Sequence, residues 1–183
     1  MIINTPKDRL IIERHPNGKK SFEGAFKNGK EVGMHTYWHG NGLKQKEVNY
    51  VDGVKDGIYI EYCNMQRRLL ECNYKGGELD GLCRTWYSGL HAKTKGSYKD
   101  GCKIGIHEEW YRYGAKKKEE IFTVNDKGMR ESTWTSWYKN GNKESEGRTA
   151  ESKYGWMTLQ DYWTTWWESG AIKSTTNSMS GRN

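Results

Sequence analysis

The sequence predicts an all-β chain: an elongated single-layer antiparallel sheet of about seven tandem β-hairpin repeats, each of 24 residues. Three observations predict it. Phe26, Tyr50, Tyr74, Tyr98 and Phe122 recur at 24-residue intervals, as do Trp38, Tyr62, Trp86 and Trp110. Two glycine series keep the same step: Gly29, Gly53, Gly77 and Gly101, then Gly33, Gly57, Gly81 and Gly105. Finally, hydrophobic residues make up only 34% of the chain, yet nine Trp and twelve Tyr bring aromatics to 13%. That is too polar for a deep core and too aromatic for disorder. Flat amphipathic rings covering a thin repeat sheet reconcile the two.

In the first repeat, Leu10, Ile12 and Arg14 alternate with Ile11 and Glu13, and His15, Pro16, Asn17 and Gly18 make a turn. The return strand, about 20–27, ends at Asn28 and Gly29. The second repeat, residues 37–57, places two extended segments around Asn41 and Gly42, read as a two-residue hairpin turn in which both residues take positive φ. It closes with a return at Gly53 and Gly57. The third repeat has Tyr62 in the Trp slot, and Met65 and Gln66 in place of Asn-Gly. Trp86, Tyr87 and Gly89 mark the fourth, and Trp110, Tyr111 and Gly114 the fifth. Trp137 to Lys143 forms the most regular unit, the sixth; Tyr162, Trp163, Trp166, Trp167 and Gly170 form an irregular seventh. The phase slips by three residues near 124–127 and by five more near 149–155, as loop insertions do. The whole chain, 1–183, reads as one repeat domain, with repeats over about 10–174 and a frayed polar tail at 175–183.

Strand alternation sorts the side chains into faces. It predicts a packed face holding Met34, Thr36 and Trp38, then Ile58, Ile60 and Tyr62, together with Val48, Tyr50, Cys72, Tyr74, Gly96 and Tyr98. Glu23, Glu47, Glu71 and Glu119 fall on a solvated face.

Net charge is +7, spread evenly: 14 Lys/Arg against 11 Asp/Glu in residues 1–92, and 16 against 12 in 93–183. No apolar stretch approaches a membrane span, and MIINTPKDRL has no signal-peptide core. Cys63, Cys72, Cys83 and Cys102 follow no metal spacing and occupy different repeat positions, so reduced thiols in a cytoplasmic protein are expected. His107, Glu108 and Glu109 are the only acid–base group, and alternation sends Glu108 to the opposite face from the other two. No catalytic constellation, cofactor loop or metal set emerges, so the chain reads as a non-enzymatic binder without a cofactor.

The pattern Trp-Tyr-x-Asn-Gly-x-Lys, followed by Glu and by Tyr-Lys-x-Gly-x-x-x-Gly, is present at Trp137 to Glu144 and at Tyr98, Lys99, Asp100, Gly101 and Gly105. It resembles the MORN-repeat variant of the bacterial YwqK antitoxin family, over about residues 10–174. The resemblance implies a hairpin array that neutralises a toxin or enzyme by binding it, in a bacterial or phage setting. It supplies no catalytic residues.

Two rows of residues are candidate binding surfaces. The first comes one position after the Trp column: His39, Cys63, Tyr87, Tyr111, Tyr138 and Trp167. Its aromatic part, Tyr87, Tyr111, Tyr138 and Trp167, with Trp156 and Trp163 nearby, is expected to bind the partner protein. The second is a basic stripe: Lys20, Lys44, Arg68, Lys116 and Lys143. With interleaved aromatics it carries the alternative expectation, nucleic-acid binding.

Overall fold

The computed structural model describes residues 8–88, 90–125, 128–151 and 158–177. Fourteen strands form one open antiparallel sheet in strict sequence order. They are β1 (Asp8–Arg14), β2 (Lys20–Lys27), β3 (Lys30–Trp38), β4 (Lys44–Val51), β5 (Val54–Tyr62), β6 (Arg68–Lys75) and β7 (Glu78–Tyr87). The series continues with β8 (His91–Lys99), β9 (Cys102–Trp110), β10 (Lys116–Val124), β11 (Arg130–Trp137), β12 (Lys143–Glu151), β13 (Thr158–Trp166) and β14 (Ile172–Asn177). Seven sequential hairpins result, as the repeat predicts. The expected tail is therefore strand as far as Asn177, and the rest of it, 178–183, lies outside the described residues. Packing divides the chain into two compact units: Met1–His91 with Tyr98–Cys102, and Ala92–Ser97 with Lys103–Asn183.

In the first unit, the turns at the two edges of the sheet differ in kind. At β3–β4, Gly42 N–H donates to His39 O at 2.8 Å and His39 N–H donates to Leu43 O at 2.9 Å. Only Gly42 has positive φ, 88°. This is a four-residue turn ending in a left-handed glycine, not the two-residue turn expected at Asn41 and Gly42. The two-residue turns lie at the other edge, where Asn28 and Gly29 (φ 51° and 81°) and Asp52 and Gly53 (φ 50° and 84°) are both left-handed. At this edge successive hairpins are bonded to one another: Gly53 N–H donates to Glu31 O, Gly77 to Lys55 O and Gly101 to Leu79 O, all at 2.9 Å.

Gly57, expected as a return-turn glycine, and Gly81 one repeat later sit inside strands. There Asn49 faces Asp56, Gly57 and Ile58, and Asn73 faces Asp80, Gly81 and Leu82. These bulges are held by Asn49 Nδ2 donating to Asp56 O at 2.5 Å and Asn73 Nδ2 to Leu82 O at 3.2 Å. Glycine is needed because φ reaches 102° and 107°.

In the β1–β2, β3–β4 and β5–β6 hairpins a further bulge beside the four-residue turn corrects the face assignment. Tyr37 pairs with Lys46 but Trp38 with Lys44, so one extra residue enters the return strand. One extra residue inverts alternation beyond it. Val48 therefore lies opposite His35, and Cys72 opposite Tyr59, rather than beside the Trp column. One face, the ring face, carries Phe22, Gly24, His35, Tyr37, Val48, Tyr50, Tyr59, Cys72 and Tyr74. The other, the tryptophan face, carries Met34, Thr36, Trp38, Glu47, Ile60, Tyr62 and Glu71.

The most buried side chains lie along the middle of the ring face: His35 is 1% exposed, with Val48 and Cys72 equally enclosed. The His35 ring lies over Gly24, packs 5.4 Å from Phe22, 5.1 Å from Phe26 and 5.0 Å from Tyr50, and donates from Nε2 to Ala25 O at 2.9 Å. Cys72 and Cys83 are directly opposed with Cα atoms 4.0 Å apart, and their sulfurs are bonded. That corrects the expectation of reduced thiols for this pair, while Cys63 and Cys102 are free.

The second unit repeats the theme. The His107 ring lies over Gly96, 5.2 Å from Phe122, with Nε2 donating to Ser97 O at 2.8 Å. Trp134 lies over Gly147 and meets Trp163 at 6.4 Å. The three-residue slip converts the β10–β11 connection into the four-residue kind, with Gly128 N–H donating to Asn125 O at 2.8 Å and Asn125 N–H to Met129 O at 2.9 Å.

The ring row is testable at one glycine and one histidine. A Cβ at Gly96 would fall 2.1 Å from His107 Nδ1, so Gly96→Ala must expel a hydrogen-bonded ring. It should cost ~1–3 kcal/mol by denaturant melt; an unchanged midpoint would refute the packing. Burial leads in pulling the His107 pKa below its ordinary 6.5, against the Ser97 hydrogen bond, which favours the protonated ring. Below pH 6.5 the unfolded chain takes up a proton that the folded chain resists, so acidification should lower stability. The loss between about pH 7.5 and pH 5.5 should shrink in His107→Gln, as read by chemical denaturation.

Candidate interaction surface

The first candidate row, with His15 one repeat before it, forms along the four-residue turns, and Cys63 opens one of them. His15 and His39 open such turns in the first unit, and Tyr111, Tyr138 and Trp167 in the second. Their polar ends reach the next hairpin. His15 Nε2 donates to Trp38 O at 2.8 Å and His39 Nε2 to Tyr62 O at 3.3 Å. In the second unit Tyr111 OH donates to Trp137 O and Tyr138 OH to Trp166 O, both at 2.9 Å. The turn asparagines do the same. Asn17 Nδ2 donates to Gly40 O at 2.7 Å, Asn41 Nδ2 to Asn64 O at 3.0 Å and Asn140 Nδ2 to Glu168 O at 3.0 Å. The two histidines and two tyrosines are thus staples between hairpins, and their rings still border solvent.

Tyr111 and Tyr138 are half-buried, while Trp167 is 54% exposed and neighbouring Tyr113 is 88% exposed. Burial raises the Tyr111 pKa, with the charges of Glu144 and Glu109 adding to it, so the hydroxyl stays protonated and donating. Lys139 lies 5.9 Å over the Tyr111 ring and Lys173 lies 4.6 Å over Trp167. Tyr87 ends β7 at the corresponding place in the first unit. Trp163 does not join the strip: it lies on the ring face against Trp134, in the middle of β13. Trp156 lies outside the described residues.

The residues of the basic stripe are compensated in charge within each unit. Lys20 pairs with Glu23 and Lys44 with Glu47, each at 2.5 Å, and Arg68 with Glu71 at 2.6 Å. In the second unit Lys116 pairs with Glu119 at 2.5 Å and Glu108 at 3.1 Å, and Lys143 with Glu146 at 2.6 Å. The turn-side bulge makes this possible, bringing each cation onto the face of the glutamate three residues later. Lys20 also lies 5.0 Å over Trp38, Lys116 5.9 Å over Trp137 and Lys143 5.5 Å over Trp166.

The electrostatics agree. Burial would raise the Glu47 pKa, but hydrogen bonds from Lys44 and Tyr62 outweigh it and hold the carboxyl below its ordinary value. Tyr62 is pushed up to about 12 by burial and then by its bond to Glu47. Lys116 is raised, first by its hydrogen bond to Glu119.

Among the described residues no group of three or more His, Cys, Asp or Glu could hold a metal ion. No described helix is long and apolar enough to cross a membrane. Sequence reasoning missed the staples and the ion pairs. Their signal was present, since His15 and His39, Asn17 and Asn41, and each Lys with the Glu three residues on recur with the repeat. Compared with known proteins, the chain matches no family model and no curated protein.

Removing the staples without removing the rings isolates their contribution. Tyr111→Phe and Tyr138→Phe should each lower stability by about 0.5–1.5 kcal/mol, the worth of one hydrogen bond to a carbonyl. Thermal melts with no shift in either variant would mean that the hydroxyls are not structural.

Proposed function

We propose that this chain is a non-enzymatic binding module that inhibits or neutralises a partner protein. In this reading the rings of the turn edge, Tyr111, Tyr138 and Trp167 in the second unit, make the central contact. The observation that carries it is the coexistence of rings fixed by hydrogen bonds with basic residues fixed by carboxylates. Rings held in place lose little conformational entropy when a partner covers them, which favours aromatic hot spots. Cations already paired offer fewer phosphate contacts, which weighs against nucleic acid despite the net charge of +7. The resemblance of Trp137 to Glu144 to the YwqK-type repeat unit supports an antitoxin or immunity role. Tyr87 extends the reading to the first unit.

The experiment uses the chain as bait in extract of its native cell, identifies a retained protein by mass spectrometry, and assays that protein's activity with the chain added. Stoichiometric loss of activity is expected. Tyr111→Ala combined with Tyr138→Ala should weaken the complex by at least ~2 kcal/mol, while the paired Phe variants retain most of it. Oligonucleotide titrations should show only weak binding at physiological salt. Tight binding that falls by about one log unit per log unit of salt for each phosphate neutralised would overturn the reading in favour of nucleic acid.

A further inference from the structure

The fifth hairpin departs from a rule that three of the four earlier hairpins keep. Asp8, Asp56 and Asp80 share one repeat position, at which Val32 is the exception. Each of these aspartates caps the turn at the end of the next strand. Asp8 Oδ1 accepts from Asn28 N–H at 3.3 Å and Asp56 Oδ2 from Gly76 N–H at 3.1 Å. Asp80 accepts from the Asp100 backbone and pairs with Lys99 at 2.7 Å. The next occupant of the position is Ile104, and Thr123 stands where Lys99 stood one repeat earlier. The turn to be capped has changed as well, since Val124 leads into the four-residue turn opened by Asn125.

What replaces the capped turn is a cavity of about 200 Å³ in the second unit, walled by Ile104, Phe122 and Val124, with Thr123, Lys103 and Arg130 completing its lining. Ile104 and Val124 are exposed apolar residues, and Arg130 is half-buried. Among the described residues the nearby carboxylates already hold cations, one of which is Lys103 of the lining. Glu131 holds Arg148 at 2.5 Å and Asn125 at 2.7 Å, and Glu120 holds Lys118 at 3.1 Å with Lys103 at 3.8 Å. Among the described residues no carboxylate pairs with Arg130. Lys103 stands 5.2 Å over the Phe122 ring.

We propose that this cavity receives the last residue of a partner polypeptide, an apolar side chain carrying a free α-carboxylate. The volume is below the roughly 300–1,000 Å³ that drug-sized ligands fill, and suits a single side chain. Ile104, Phe122 and Val124 supply the apolar wall. The Arg130 guanidinium is a planar fork matched to a carboxylate, and Lys103 adds a second positive charge. A bound carboxylate replaces the one that Ile104 removed from this repeat position. The biological occupant rests on the partner-binding reading; the pocket's chemistry does not.

The test is an NMR titration of the full ¹⁵N-labelled chain with acetyl-Gly-Ser-Gly-Leu, as the free acid and as the C-terminal amide. The acid should give saturable shifts centred on Ile104, Phe122, Val124 and Arg130, and the amide should bind at least about tenfold more weakly. Arg130→Gln should lose a similar factor. Ile104→Asp should keep the fold, because Asp56 and Asp80 are accommodated at the same repeat position, and should lose the site. Equal affinity for acid and amide, shifts elsewhere, or full binding by a folded Ile104→Asp would overturn the proposal. If a variant unfolds, the acid–amide comparison on the unaltered chain still decides. Acid-specific binding here, with no inhibition of any retained protein, would refute the partner reading alone; inhibition without acid-specific binding would refute the pocket alone.

Discussion

A sheet with no second layer has to bury its side chains sideways, and one row of the ring face carries that burden. Along it, small residues alternate with rings across the strand pairs: Gly24 with His35, Val48 with Tyr59, Gly96 with His107, Gly147 with Trp134. Where the neighbour is glycine, the ring lies flat across bare backbone and covers it, a known way to rescue a glycine in a strand. Cys72 and Cys83 satisfy the same position with two small residues joined through sulfur, so no ring is needed between them. The row therefore holds several chemistries: imidazole, phenol and indole rings beside small neighbours, and one sulfur–sulfur bond. Shallow burial gives each pair little margin, and interiors respond to volume changes as small as one methylene.

The tryptophan face is covered by a different means. Lys20, Lys44, Arg68, Lys116 and Lys143 each follow a four-residue turn and bond the glutamate three residues on, and at Lys20, Lys116 and Lys143 the cation also lies over the tryptophan of the next hairpin. One such exposed pair contributes little. Repeated along the sheet, the pairs have a second effect: they hold aliphatic stems flat over indole rings, which shields apolar surface while leaving the charged ends wet. The same arrangement blunts a chain that is otherwise rich in cations. Net charge alone is therefore a poor guide to what this surface attracts.

How much of this was legible in the sequence depended on whether a feature repeats in step. The hairpin count and strand order were legible, because Phe26 to Phe122 and the two glycine series recur without slippage over the middle of the chain. The turn types were assigned to the wrong edge, because Asn-Gly at Asn41 and Gly42 has the composition of a two-residue turn, while the hydrogen bond from His39 N–H to Leu43 O makes it longer. Face assignment failed at one residue per hairpin: Gln45 is extra in its strand, and alternation counted through it lands on the other side. That error also separated Glu47 from Lys44 and hid the ion pairs. The strip of Tyr111, Tyr138 and Trp167 was legible as a row but not as a set of staples, since a hydroxyl's partner 26 residues away cannot be read from local pattern. Trp163 was grouped with the strip by proximity in sequence, whereas its register opposite Gly147 places it in the central ring row.

Repetition also indicates where a functional residue can be told from a structural one. A residue that keeps its type and its bond from hairpin to hairpin, such as Asn17, Asn41 and Asn140, is explained by the array itself. Tyr111 and Tyr138 occupy the position of His15 and His39 and make the same kind of bond to a carbonyl. Their hydroxyls are thus accounted for by the fold. What the fold leaves unexplained is the change from imidazole to larger phenol and indole rings, which bring more apolar area to the edge than a staple needs. Ile104 and Val124 are unexplained in the same sense, since the first stands where Asp80 makes a polar turn contact one repeat earlier, and both expose apolar surface. Apart from Tyr87, which makes the same change in the first unit, these departures lie in the second unit, where the repeat also changes length. In an array whose regular positions are occupied with holding neighbouring hairpins together, recognition has to be built from the positions that the repeat releases.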